Sequence, residues 1–225
     1  MKQLLVSLTF LISIVLTAQN PIEKSIGEFS ELKVYDLIEV ELVKSKENKV
    51  VITGENANDV LVNNKNGKLK IKMNLEEIFD GNKTKVVLYY SGVDIIDVNE
   101  GAKVHSKDKL KQFEIDLKAQ EGGYINLDLK VTYANIKSVT GGVVKTSGKS
   151  ESQKIVLSTG GVYKGAELLT HKTEVSINAA GEAYVNASKL VDVKIRAGGD
   201  VFIYGDPEIV NENRVLGGRI KRIKK

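Results

Sequence analysis

The chain has 225 residues, 42% hydrophobic and 28% charged, with 20 Gly, 2 Pro, no Cys and no Trp, and a formal charge of +4. That length can bury a continuous core in one or two domains; the hydrophobic share excludes a disordered chain, and the Gly and Pro counts exclude collagen. The absence of Cys excludes a disulfide scaffold, a thiolate metal site and a cysteine nucleophile, and so mild a charge excess argues against a nucleic-acid partner.

Residues 1–18 open with Lys2, followed by an apolar run from Leu4 to Leu16 interrupted only by Ser7, Thr9 and Ser13. A charged start and a short apolar core mark a secretory signal peptide. The run is too short for a bilayer span, which needs about 20 apolar residues, although a buried N-terminal helix or strand would have the same composition. We expect cleavage near Ala18 or Gln19 and export to the periplasm, the outer-membrane surface or the medium, with no transmembrane segment in the mature chain. Removing the leader takes Lys2 and no acid, so the formal charge falls to +3.

Residues 19–225 read as a single domain in two parts. Within 19–95 the strand signals are irregular: Leu32 to Leu42 alternates around a small break, and Lys49 to Thr53 runs into Gly54. Lys68 to Met73 alternates after an Asn66-Gly67 turn, and Lys85 to Tyr90 ends at Ser91-Gly92. Glu55 to Val62 suggests one short helical turn capped by Asn58. This part is expected to cap one end of the more regular segment behind it, because an unpaired terminal edge invites aggregation.

Within 96–225 a repeat emerges. Small-residue pairs recur at Gly101-Ala102, Gly122-Gly123, Gly141-Gly142, Gly160-Gly161, Ala180-Gly181, Gly198-Gly199 and Gly217-Gly218, spaced by 18 to 21 residues and on average about 19. Six residues before the second member of each of the first six pairs stand Ile96, Leu117, Ile136, Ile155, Val175 and Val193. Two residues after it stand Val104, Ile125, Val144, Tyr163, Ala183, Val201 and Ile220. Apolar residues at alternate positions, rich in Val and Ile, are the mark of half-buried strands. Strand, small-residue corner and strand, repeated in constant phase, predict an all-β fold: a right-handed parallel β-helix, or β-solenoid, with about 19 residues per coil. An antiparallel sandwich with Gly-rich hairpins is the competing architecture, but hairpins do not require every column to keep one phase.

Three further stretches, together with the Gly-pair repeats, bear on the family. They are Phe29-Ser-Glu-Leu-Lys-Val-Tyr-Asp-Leu-Ile-Glu-Val-Glu-Leu42, Asn66-Gly-Lys-Leu-Lys-Ile71 and Gly198-Gly-Asp-Val-Phe-Ile-Tyr-Gly-Asp-Pro-Glu-Ile-Val210. Over residues 28–225 the chain resembles the bacterial head GIN domain family, whose members carry the label "putative auto-transporter adhesin" and are otherwise a domain of unknown function. It departs from the family pattern in having plain Gly-Gly pairs where Ser-Gly-Ser-Gly is common. The resemblance implies an exported β-helical domain of the Bacteroidetes type and an adhesin-like role, and it carries over no catalytic or ligand residues.

The chemistry the chain could support is limited. His105 and His171 are far apart, no zinc or nucleophile-elbow motif is present, and Gly198-Gly-Asp-Val lacks the strand–loop–helix setting of a nucleotide loop. No cofactor is expected. A β-helical polysaccharide lyase or hydrolase would need converging carboxylates. Asp94, Asp97, Glu100 and Glu121 begin such a cluster, but Thr140 and Thr159 replace the acid in the next coils. The chain therefore reads as a non-enzyme. For binding, the candidate face is Lys118, Gln120, Lys137, Asn178, Lys194 and Arg196, which would suit an anionic glycan or an acidic protein surface. A structural envelope role, through packing at an open solenoid end, is the third class considered.

Overall fold

The computed structural model describes residues 20–74, 76 and 80–224, so the leader expected at 1–18 lies outside the described residues. The first strands are β1 (Ile22–Ser25), β2 (Glu31–Val34), β3 (Glu39–Lys44), β4 (Lys49–Gly54), β5 (Val60–Lys65), β6 (Lys68–Met73) and β7 (Thr84–Tyr90). A 3-10 turn at Ala57–Asp59 stands where a capped helical turn was expected, with Asn56 rather than Asn58 at its start and no side-chain cap bond. Next come β8 (Ile95–Val98), β9 (Lys103–Ser106), β10 (Leu110–Lys111) and β11 (Glu114–Ala119). Four long strands come after them: β12 (Tyr124–Val139), β13 (Val143–Ser158), β14 (Gly161–Ile177) and β15 (Gly181–Ala197). The last are β16 (Asp200–Tyr204), β17 (Ile209–Leu216) and β18 (Arg219–Arg222).

These strands form the expected β-solenoid of about seven turns. Each coil pairs in parallel with the next, and between β12 and β13 the offset is 19 residues along the whole length, from Tyr124 on Val143 to Val139 on Ser158. Parallel stacking at about 4.8 Å places like positions above one another, and for that reason the inward columns repeat in sequence. Ile96, Leu117, Ile136, Ile155, Val175 and Val193 are all buried, as are Val104, Ile125, Val144, Tyr163, Ala183 and Val201.

Each coil has one tight edge and one gentle edge. At the tight edge Thr140 and Gly141 are both left-handed (φ 49° and 70°), and the Gly142 N–H donates to the Val139 carbonyl at 2.9 Å, a type I′ turn. The two glycines of the pair serve different needs. Gly141 supplies the left-handed φ with open space around it, whereas a Cβ on Gly142 would lie 2.3 Å from the Ala119 carbonyl oxygen of the coil beneath. At the gentle edge the backbone stays extended and merely slips phase, two successive residues facing outward: Thr132 and Tyr133, Glu151 and Ser152, His171 and Lys172. In β12 to β15 the two short strands that the sequence suggests are therefore joined across this bend into one strand of 16 or 17 residues, whereas β9, β10 and β11, and β16 and β17, stay separate.

The 20-residue spacing between Gly161 and Gly181 has a local cause. Lys145 pairs with Lys164 but Ser147 pairs with Glu167, so β14 carries one extra residue near Gly165 and Ala166. The bulge lies beside the largest fully buried side chain, Tyr163, whose ring would sit 2.3 Å from a Cβ on Gly165. The Tyr163 hydroxyl donates to Gln153 Oε1 at 2.6 Å and lies 2.8 Å from Thr146 Oγ1; Gln153 Nε2 in turn donates to Thr173 Oγ1 at 2.9 Å. This polar chain inside an aliphatic core is internally satisfied, and burial pushes the Tyr163 phenol well above its ordinary range.

The segment before the regular repeat both caps the stack and enters it. The run of β2, a corner and β3 forms a coil of its own, stacked in parallel on β8 and β9 with one constant offset, Val34 on Val98 and Glu39 on Lys103. Its corner uses Asp36 and Leu37, both left-handed without glycine (φ 58° and 62°). On its other side β6 and β7 stack in parallel. Antiparallel strands then finish this end: β4 on β7, β1 on β4, and β5 on β6. Among the described residues no helix is long and apolar enough to cross a membrane.

Candidate binding groove along the bend edge

The gentle edge of the coils is concave and forms a groove of about 1440 Å³ from Gln112 to Lys224. Lys130, Lys149, Leu169 and Asn186 stack one above another along it, on β12, β13, β14 and β15. Ile203 and Arg222 extend the lining towards the C-terminal end. The five strand-to-strand steps from Lys130 to the last coil span about 24 Å.

The floor is held rigid by hydroxyl and amide bonds that cross from coil to coil. Ser150 Oγ donates to the Thr132 carbonyl at 3.1 Å, Thr170 Oγ1 to the Asn186 carbonyl at 2.8 Å, and Asn186 Nδ2 to the Ala166 carbonyl at 2.9 Å. At mid-groove His171 Nδ1 lies 2.7 Å from Glu151 Oε2, one coil below. Among the described residues no carboxylate lies within ion-pair distance of Lys130 or Lys149, so two adjacent cations face solvent without partners. Like charges directly opposite on neighbouring strands repel, and an anion seated between them would relieve that repulsion. Leu169, half exposed at 51%, adds an apolar step to the same column. Beside the groove mouth Phe113 and Tyr133 meet edge to face with centroids 5.3 Å apart, and both are exposed.

The residues singled out from sequence lie elsewhere, on the flat face before the tight corners. Lys118 pairs with Lys137, but Val156 and Ser176 occupy the next two coils before Lys194 returns. Lys194 lies 3.7 Å from Asp192. Gln120 is committed to the fold: its amide donates to Asp97 Oδ1 at 3.0 Å and Asn99 Oδ1 at 3.2 Å. Asn178 and Arg196 are exposed, each one residue beyond the paired Ile177 and Ile195.

Asp97 belongs to a structural cluster. Burial alone would raise its carboxyl, but the Lys33 ammonium at 2.8 Å and the amides of Gln120 and Asn99 hold it below the usual carboxylate range. Glu100 is pushed the other way, by burial first and then by Asp36 and Glu121. His105 lies 3.1 Å from Glu39 and far along the chain from His171, and no group of three or more His, Cys, Asp or Glu among the described residues could hold a metal ion.

The family model described as "Putative auto-transporter adhesin, head GIN domain" matches residues 28–207. The chain belongs to this family. Several solved structures resemble it in shape. A crystal structure described as a putative adhesin from Bacteroides fragilis superposes with a TM-score of 0.82 at 19% identity, covering 90% of this chain and 96% of that one. A structure described as a putative lipid binding protein from Parabacteroides distasonis gives 0.72 at 17% identity, covering 92% and 98%. A putative adhesin from Parabacteroides merdae gives 0.70 at 14%, covering 91% and 96%. At such identities the likeness is one of fold. No curated protein matches the sequence.

Proposed function

We propose that this head GIN domain is an exported, non-catalytic envelope binding module whose bend-edge groove seats an extended anionic glycan. The observation that carries the reading is the stacked, unpartnered pair Lys130 and Lys149 over a rigid floor, with Leu169 above them and Arg222 at the far end. The exposed aromatic pair Phe113 and Tyr133 offers sugar rings an apolar surface at the mouth. Export is supported by the leader-like residues 1–18 and by the family's adhesin description. A non-catalytic role is favoured by Asp97, the central acid of the carboxylate cluster Asp94, Asp97, Glu100 and Glu121, being spent on Lys33. The flat face with Lys118, Lys137, Asn178, Lys194 and Arg196 is a flanking contact for the same ligand class.

The test is an array of uronate-, sulfate- and phosphate-bearing glycans beside a degradation assay on the same polymers. Binding without cleavage is expected, weakening as salt rises and falling at least about tenfold in Lys130→Glu/Lys149→Glu. A smaller loss is expected from Lys137→Glu/Lys194→Glu. Release of unsaturated sugars, or binding to anionic lipid vesicles and to no glycan, would sink the reading.

A further inference from the structure

The two ends of the solenoid are finished differently. Antiparallel strands cover the N-terminal end, whereas at the C-terminal end β17 pairs with β15 alone and, among the described residues, no strand lies on its other edge. Such an edge carries a row of open N–H and C=O groups. Its side chains are unusual for their positions. Val210, Glu212, Arg214 and Leu216 stand opposite Val191, Val193, Ile195 and Ala197, so two charges occupy columns that are aliphatic in the coil beneath. Within the chain Glu212 and Arg214 are 3.9 Å apart and exposed, and Val215 and Leu216 beside them are about 70% exposed. The last coil is itself well anchored, since Arg219 Nε donates to Asp200 Oδ1 at 2.8 Å.

We propose that β17 pairs antiparallel with β17 of a second copy about a two-fold axis through Asn213. The backbone phase fits. The Leu216 carbonyl accepts from Gly198 N–H at 2.8 Å and so points back into the stack; by alternation Leu216, Arg214 and Glu212 turn their backbone groups inward, and Asn211, Asn213 and Val215 turn theirs to the open side. Asn213 then exchanges both hydrogen bonds with its own counterpart. In this register Glu212 faces Arg214 of the second copy and Arg214 faces Glu212, while Val210 faces Leu216 at both ends. The pleat permits only slips that keep inward side chains opposite one another. One such step either way sets Glu212 on Glu212 or Arg214 on Arg214, like charges at the closest cross-strand spacing. The strand is thus complementary to itself in one register, which is what an isologous interface demands.

The chain has no cysteine, so a single thiol reports the contact cleanly. Oxidation, or a short thiol crosslinker, should convert Asn213→Cys to a covalent dimer and leave the exposed control Asn178→Cys monomeric. Sedimentation should show a dimer whose dissociation constant rises at least about tenfold in Glu212→Arg and in Arg214→Glu, and recovers in the double exchange Glu212→Arg/Arg214→Glu. A parent chain that stays monomeric at every concentration, or single reversals that leave the dimer intact, would overturn the proposal. Polymerisation of Glu212→Val/Arg214→Val from a monomeric parent would also overturn it, assigning the charges to stopping the stack instead.

Discussion

Gly141 and Gly142 are neighbours in one corner, yet replacing each by alanine should do different damage. At Gly142 the new Cβ would lie 2.3 Å from the Ala119 carbonyl oxygen and 2.5 Å from its carbon, about 1 Å inside van der Waals contact. That obstacle is backbone fixed in the stack, so relief means lifting the corner off the coil beneath. Overpacking of this kind costs about 1–3 kcal/mol, and each ladder hydrogen bond lost with it about 0.5–1.5, which together give about 3 kcal/mol. At Gly141 nothing lies within 4 Å of an added Cβ, and the cost is the left-handed conformation alone, about 1–2 kcal/mol. With a urea m-value of about 2 kcal/mol/M, the midpoint should fall by about 1.5 M for Gly142→Ala and by about 0.5–1 M for Gly141→Ala. Asparagine, which tolerates positive φ, should recover part of the loss at 141 and none at 142. A milder effect at 142 than at 141, or rescue by asparagine at both, would refute the division of labour between the two glycines.

Two further outcomes concern buried polar groups. Tyr163→Phe keeps the ring but strands Gln153 Oε1 and Thr146 Oγ1, and should cost about 1–3 kcal/mol in the same urea assay; an unchanged midpoint would contradict the closed network. Asp97 has its folded pKa held down, so its stabilisation is complete above the unfolded value of about 3.9 and drains away as pH falls through the folded value. Stability measured from pH 6 downward should therefore decline less steeply in Asp97→Asn than in the parent, and identical acid limbs would refute the assignment.

The solenoid is legible in the sequence because parallel stacking forces one side-chain class into each inward column, and columns such as Ile136, Ile155 and Val175 survive wherever the corner keeps its length. The early coil of β2 and β3 is hidden because its corner, Asp36-Leu37, lacks the glycine that marks the others. A signal exists all the same: Val34, Ile38 and Val40 match Val98, Ala102 and Val104 position for position. The groove is illegible for a different reason. Its residues lie at the bend, where no small residue is needed, and the bulge near Gly165 shifts their spacing from 19 residues between Lys130 and Lys149 to 20 between Lys149 and Leu169. Columns counted from the glycine corners point instead to Lys118, Lys137 and Lys194, with Val156 and Ser176 between them.

The place of β2 and β3 in the stack also sets an order of assembly. Most of the later coils can add to a finished neighbour by closing a loop of about 19 residues, but β2 must find β8 across 64 positions and accept β6 on its other edge. By loop-closure entropy the longer search costs only about 1 kcal/mol more than the shorter one, yet it requires three separated segments to arrive together before any of them is buried. The rate-limiting step of folding should therefore lie at the N-terminal end and leave a distinct kinetic phase. Growth thereafter runs coil by coil towards the C terminus, so a chain emerging N-terminus first would complete its slow step with its last coils still unfolded.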